Sequence, residues 1–216
     1  VSIFDNVFES NLVDYSKDFS KSDNVYAIKS WLREHARSSI RRDKLIAYDI
    51  TDDMKINIKS DCTIILGKQN KTIEEFPEYI NFNICKGNFS CSGLGLTTLR
   101  GCPKTIYGSF NCSNNKIKDL VGGPITLEKK CSKSIFNRLK EHTKREVTKK
   151  DQYENIEYNC SNNQIMLFDG KPKNTKNCKF ICAKNPFLGA MMKHLVGKFE
   201  RGYKITNERS ASSIVF

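Results

Sequence analysis

The chain has 216 residues, with 36 Lys and Arg against 24 Asp and Glu, a formal net charge of +12, and nine cysteines. That length accommodates one repeat-built domain with elements at its ends and leaves too few residues for a second independent core. No apolar run reaches membrane-spanning length, and the first residues carry Asp5, Glu9, Asp14 and Asp18 rather than a basic stretch followed by an apolar one, so a soluble, non-secreted protein is expected.

Residues 1–20 form the first predicted element. Phe4, Phe8, Leu12, Tyr15 and Phe19 recur at spacings of three and four, which places five large apolar groups on one helical face. Such an arm either folds back as a cap or docks into another protein as a helix in a groove. Residues 21–60 are read as a helix plus hairpin. Ser22 or Asp23 is the expected N-cap, and Val25, Ile28, Trp31, Leu32 and His35 form the apolar stripe. Tyr48-x-Ile50 and Met54-x-Ile56-x-Ile58 alternate across Asp52-Asp53 as a hairpin, expected to cover an open sheet edge.

From 61 to 188 the chain repeats. Phe89-x-Cys91-Ser92, Phe110-Asn111-Cys112-Ser113-Asn114-Asn115-Lys116-Ile117, Tyr158-Asn159-Cys160-Ser161-Asn162-Asn163-Gln164-Ile165 and Phe180-x-Cys182 share one pattern. Gly101, Gly122 and Gly170 each follow a repeat cysteine by ten residues, and a proline stands two places beyond each glycine. Tyr107-x-x-Phe110-x-Cys112-x-x-Asn115-x-Ile117 overlays the leucine-rich-repeat template, whose copies bury their apolar rows only by stacking. The expectation is an α/β solenoid, a leucine-rich-repeat-like stack of short parallel strands in five or six copies. Leu66, Ile73 and Phe76 mark a degenerate first copy, and Cys131-Ser132 opens another. Asn115, Asn163 and Asn185 are expected to form a ladder that Leu94 interrupts. Residues 189–216 are expected to close the stack with a helix near 188–199 and a tail.

Cys91, Cys112, Cys131, Cys160 and Cys182 fall at one repeat position, which predicts a stacked row of buried, reduced thiols behaving as small hydrophobes. No Cys-x-x-Cys occurs, and His35, His142 and His194 lack ligand spacing, so neither metal nor cofactor is expected. So many thiols imply a reducing compartment.

The charge sits mainly in two segments. Over residues 129–150, Lys129, Lys130, Lys133, Arg138, Lys140, Lys144, Arg145, Lys149 and Lys150 stand against Glu141 and Glu146, a local net of +7 within an excursion that interrupts the repeats at about 129–155. A secondary patch holds Arg33, Arg37, Arg41 and Arg42. Each is either a solvated surface or a contact for an acidic protein or nucleic acid.

Trp31-Leu32, Tyr48-Asp-Ile-Thr-Asp-Asp53, the Ile56-x-Ile58 strand and repeats of the form Phe-x-Cys-Ser-x-Asn-x-Leu-x-x-Leu-x-Gly-x-Pro together resemble the short leucine-rich-repeat proteins of tailed bacteriophages. The resemblance spans residues 25–190. It implies a viral protein made in, or carried into, a bacterial cell, so the host cytoplasm or the virion is its expected place.

No nucleotide-binding glycine loop, metalloprotease motif or nucleophile elbow occurs, and the carboxylate pairs Asp52-Asp53 and Glu74-Glu75 fall in predicted turns. The expected function is therefore a non-catalytic protein-protein interaction module, either a virion component or a binder of a host factor. The outward strand positions Ser90, Ser92, Asn111, Ser113, Asn159 and Ser161 lack aromatic anchors, which directs attention to the basic excursion and the arm. The alternative is a nucleic-acid-binding accessory protein that uses the excursion for phosphate contacts, although Phe136 is its lone aromatic between Lys129 and Lys150.

Overall fold

Two mixed sheets of mostly parallel strands, with little helix, make up the computed structural model, which describes residues 21–38, 45–67, 71–132, 152–186, 204–208 and 211–215. The chain begins there with helix α1 (Lys21–His35) and then runs through fourteen short strands. These are β1 (Ala36–Arg37), β2 (Tyr48–Ile50), β3 (Ile56–Ile58), β4 (Cys62–Ile64), β5 (Phe82–Cys85), β6 (Phe89–Ser90) and β7 (Thr105–Ile106). They continue as β8 (Phe110–Asn111), β9 (Thr126–Leu127), β10 (Ile156–Asn159), β11 (Asn174–Thr175), β12 (Cys178–Ile181), β13 (Lys204–Glu208) and β14 (Ala211–Val215).

From β3 to β12 the chain alternates between the sheets. One has the order β1-β4-β6-β8-β10-β12-β14-β13, the other β11-β9-β7-β5-β3-β2. Neighbours are parallel from β4 to β12 in the first and from β3 to β11 in the second. Antiparallel pairs stand at the ends: β1 on β4, β2 on β3, and the β13–β14 hairpin on β12. Both inner faces contribute to one core, in which Ile106 and Leu127 from one sheet join Phe89 and Phe110 from the other.

Alternation within the two- to four-residue strands β4 to β12 explains the parallel part of the larger sheet. Phe89, Phe110, Tyr158 and Phe180 are in-register partners on adjacent strands, with successive ring centroids 6.2, 5.0 and 4.8 Å apart. Aromatic contacts of this kind are each worth about 0.5–1.5 kcal/mol beyond area burial. Two residues further on, Cys91, Cys112, Cys160 and Cys182 are fully buried, and the backbone N–H groups of Cys91, Cys112 and Cys160 each bond a carbonyl of the next strand.

Where the strand ends, the chain bends through a left-handed residue, Gly93, Asn114, Asn162 or Lys184, with φ of 70°, 59°, 54° and 58°. Glycine and asparagine suit this conformation and lysine does not. The buried Asn ladder then forms as expected. The side-chain oxygen of Asn115 accepts the N–H groups of Leu94, Gly95 and Leu96, while its amide donates to the carbonyls of Cys91 and Cys112. Asn163 accepts from Ile117 and donates to Cys112 and Cys160; Asn185 accepts from Ile165 and donates to Cys160 and Cys182. Each asparagine thus stitches its own turn to the preceding one. On the far side, a Cβ at Gly122 would lie 2.8 Å from the Arg100 nitrogen, and its φ is 86°, so both space and backbone require glycine.

Several expectations need correction. Cys131 does not join the cysteine row: β8 pairs directly with β10, and Tyr158 takes the place beside Phe110. Lys129 and Lys130 stand where that copy would need its aromatic residue and neighbour, and a charged side chain cannot fill a dry aromatic row. In the first copy Cys62, not Leu66, is the register partner of Phe89. Ser22 and Asp23 lie inside the first turn of α1 rather than before it; Asp23 there complements the positive end of the helix dipole. The outward positions are less open than the alternation suggested, and Ser113 is only 5% exposed. Part of the supposed tail pairs as β13 and β14. The arm residues Phe4, Phe8, Leu12, Tyr15 and Phe19 and the helix expected at 188–199 lie outside the described residues.

The stripe on α1 is buried at Ile28, Trp31, Leu32 and His35, and the Trp31 ring sits 5.7 Å from Phe76 and 6.4 Å from Phe82. Backbone bonding continues that packing, since Ile65 N–H donates to the His35 carbonyl at 2.8 Å.

Candidate functional site

The basic excursion leaves the sheets after β9 and returns at β10, and its two described ends hold each other. Cys131 N–H donates to Gln152 O at 2.8 Å, Glu154 N–H donates to Lys129 O at 2.7 Å, and Lys130 and Tyr153 form an antiparallel bridge. Lys129 Nζ lies 2.8 Å from a Glu154 carboxylate oxygen. The hydrogen bond to Glu154 is the main reason the Lys129 ammonium is held above its ordinary range. Lys129 is therefore a stem residue with its charge matched, whereas Lys130 is exposed. Lys133, Arg138, Lys140, Lys144, Arg145, Lys149 and Lys150 lie outside the described residues.

The secondary patch divides. Arg37 turns back on the helix, its guanidinium donating to Arg33 O at 2.8 Å and to Ala36 O at 3.0 Å, which satisfies orphan carbonyls at the C-terminus of α1. That makes Arg37 a helix-end residue. Arg33 is exposed, and Arg41 and Arg42 lie outside the described residues.

The outer face of the larger sheet uses its polar groups on itself. The side-chain oxygen of Asn111 accepts from Ser113 N–H at 3.0 Å and from its hydroxyl at 2.7 Å, and Asn159 does the same with Ser161 at 3.1 and 2.7 Å. Ser90 and Ser92 share a hydroxyl contact at 3.3 Å. Groups already bonded locally offer a partner little new energy.

The thiols lie in the core. All nine are reduced, and eight are buried. Burial pushes Cys85, Cys178 and Cys182 up to about 12, and holds Cys62, Cys112 and Cys160 well above the ordinary thiol range. At Cys91 the hydrogen bond with Cys102 adds to burial. Neutral buried thiols are poor nucleophiles and poor metal ligands. Among the described residues, no group of three or more His, Cys, Asp or Glu is placed to hold a metal.

Two arrangements had no clear signal in the sequence. Asp61 accepts from Asn88 N–H at 2.6 Å, Asn88 from Ser109 N–H at 2.8 Å, and Ser109 from Glu157 N–H at 3.0 Å, a staircase of side-chain acceptors at the bends between the sheets. Phe76, Ile80, Glu78, Arg100 and Lys104 line an open cleft of about 450 Å³ between two successive turns. Their charges belong to neither basic segment, so the charge distribution did not single them out.

The described residues thus define a mostly parallel two-sheet protein with little helix, and none of its described helices is long and apolar enough to cross a membrane. Compared with models of protein families, with curated proteins and with solved structures, the chain matches none.

Proposed function

We propose that the chain is a leucine-rich-repeat-like solenoid acting as a non-catalytic protein-interaction module, with the excursion at about 129–155 as its principal contact element. In this reading α1, β1 and the β2–β3 hairpin cap one end, and residues 189–216 cap the other. The observation that carries it is the direct register of β8 with β10 around the excursion, whose stem is closed by Lys130 and Tyr153. A segment inserted between register partners is not needed for the neighbour contacts of a stack, and a rigid support on either side can present it. The net charge of +7 over residues 129–150 suits an acidic protein surface. The resemblance of the repeats to those of tailed-phage proteins supports a partner in a virion or in an infected bacterial cell.

The nucleic-acid reading rests on the same charge, and one experiment separates the two. Lys140, Lys144, Arg145 and Lys149 are changed to Glu together, and wild type and variant are used to capture partners from infected cells and compared with the contents of purified virions. Loss of a nuclease-resistant partner in a folded variant supports the protein contact. Loss of binding on nuclease treatment, with a steep salt dependence, assigns the excursion to phosphates instead. Unchanged binding by the variant removes the excursion from the function.

A further inference from the structure

We propose that the flank of the sheets from which the excursion leaves is the rigid half of its contact surface, with Tyr107 as the anchor for an acidic protein segment. This rests on the excursion being a protein contact. Tyr107 opens the stretch that overlays the repeat template, at a leucine position, but it is 39% exposed and is not used by the core.

Short bends carry the chain from the smaller sheet to the larger after β3, β5, β7 and β11, and the excursion takes the place of the bend after β9. The residue that opens each bend bonds back to the preceding turn. Lys86 N–H donates to Ile58 O at 2.9 Å, Tyr107 N–H to Cys85 O at 2.8 Å, Glu128 N–H to Ile106 O at 3.1 Å and Lys176 N–H to Leu127 O at 3.1 Å. Lys86, Tyr107, Glu128 and Lys176 therefore stand in one line, about 4.8 Å apart by strand spacing. Glu128 immediately precedes the stem residue Lys129, so Tyr107 is one strand away from the point where the excursion departs. On the return side, Asn177 Nδ2 donates to Tyr153 O at 2.8 Å, which ties the other leg of the stem to the bend after β11.

The bends are seated on one another. A Cβ at Gly87 would lie 2.5 Å from the Asp61 nitrogen, and one at Gly108 would lie 2.8 Å from Gly87 O, so each bend approaches the one before it as closely as glycine allows. Together with the acceptors Asp61 and Asn88, this holds the backbone that carries Tyr107 in place before a partner arrives, which lowers the cost of binding.

The surroundings select the partner. Lys59 is matched by Asp49 and Lys129 by Glu154, while Lys86, Lys130 and Lys176 are exposed on this flank beside the half-buried Glu128 and the exposed Glu157. With the net of +7 over residues 129–150 next to them, the potential favours an acidic surface. A tyrosine ring packs on side-chain methylenes while its hydroxyl donates to a carboxylate. Single-stranded nucleic acid is held by successive stacking aromatics, and Lys86, Glu128 and Lys176 on either side of Tyr107 offer none.

The test follows amide NMR shifts of the full chain during titration with a poly-Glu peptide and, separately, with oligothymidylate. Joint response of residues 86–88, 107–109 and 129–150 to poly-Glu supports the flank, provided that Tyr107→Ala weakens binding about fivefold or more and Tyr107→Phe weakens it less. Lys86→Glu, at an exposed site, should weaken it as well, and an unaltered melting curve shows that each variant is folded. Tyr79→Ala is the control and should change nothing, because Tyr79 is 40% exposed but precedes β5, where the chain enters the smaller sheet rather than leaves it. Shifts confined to 129–150, or folded Tyr107→Ala and Lys86→Glu variants that bind as wild type, overturn the flank and leave the excursion as the contact. Equal losses at Tyr79 and Tyr107, a flank that responds only to oligothymidylate, or no binding of poly-Glu also overturn it. Flank shifts that persist when Lys140, Lys144, Arg145 and Lys149 are changed to Glu uphold the flank and overturn the reading on which it rests.

Discussion

Phe110 and Tyr158 are direct register partners on adjacent parallel strands, their ring centroids 5.0 Å apart, although the whole basic excursion lies between them in the chain. The stack therefore closes without it. Replacing residues 133–151 with a short Asn-Gly turn on the Cys131 and Gln152 stem should leave the melting transition unchanged or slightly higher, because loop length costs only about 0.6 kcal/mol per doubling. A loss beyond about 2 kcal/mol in denaturant unfolding, as large as a core deletion, would show that the excursion packs into the core instead.

Tyr158 stands in a row of phenylalanines, and its hydroxyl is buried with no hydrogen-bond partner. It lies near Gly123, where a Cβ would be 3.3 Å from the oxygen. The cost of desolvating that oxygen is uncompensated. Tyr158→Phe should raise stability by about 1 kcal/mol. Destabilisation on removing the hydroxyl would indicate that a buried water satisfies it.

Asn115 and Leu94 occupy the same repeat position, one bonding six backbone groups and the other none through its side chain. Asn115→Leu keeps a side chain of tolerated shape and strands buried donors and acceptors from two turns. The expected loss is about 3 kcal/mol or more, measured by urea unfolding. A change under about 1 kcal/mol would mean that these groups find water or each other.

Much of this was legible because burial repeats with the strand. The aromatic row, the cysteine row and the Asn ladder each need one residue type at one spacing, so the sequence displays them. The misreading at Cys131 followed from weighting Cys-Ser over the aromatic position, whereas the row beside Phe110 accepts Tyr158 and cannot accept Lys129. The staircase of Asp61, Asn88 and Ser109 was illegible for a different reason: the three share only an acceptor oxygen, and no residue type recurs. The excursion's charge was legible, but its stem depends on pairing Lys130 with Tyr153 across an interval of sequence that carries no periodic signal. The role of Arg37 at the helix end was not legible, because composition counts its charge without showing that Nη1 bonds the Arg33 and Ala36 carbonyls.

The thiols make the response to alkali predictable in sign. Seven cysteines, Cys62, Cys85, Cys91, Cys112, Cys160, Cys178 and Cys182, are held above the ordinary value of 9.0, through burial in six and through the Cys102 hydrogen bond together with burial at Cys91. Below pH 9 both folded and unfolded chains keep these protons, and stability is fully present. As pH rises, the unfolded chain ionises first and binds fewer protons than the folded one, so stability falls from about pH 9 toward the values near 12 of Cys85, Cys178 and Cys182. Urea midpoints measured from pH 7 to 11 should be flat to about pH 8.5 and then decline, with the loss shared among several sites. Thiol labelling at pH 7 should be slow at Cys91, Cys112 and Cys160 until urea unfolds the chain, and Cys112→Asp should prevent stable folding by burying an unpaired charge at a fully buried site. Rapid labelling of those three in the native protein, or midpoints that do not move up to pH 11, would show that the row is open to solvent.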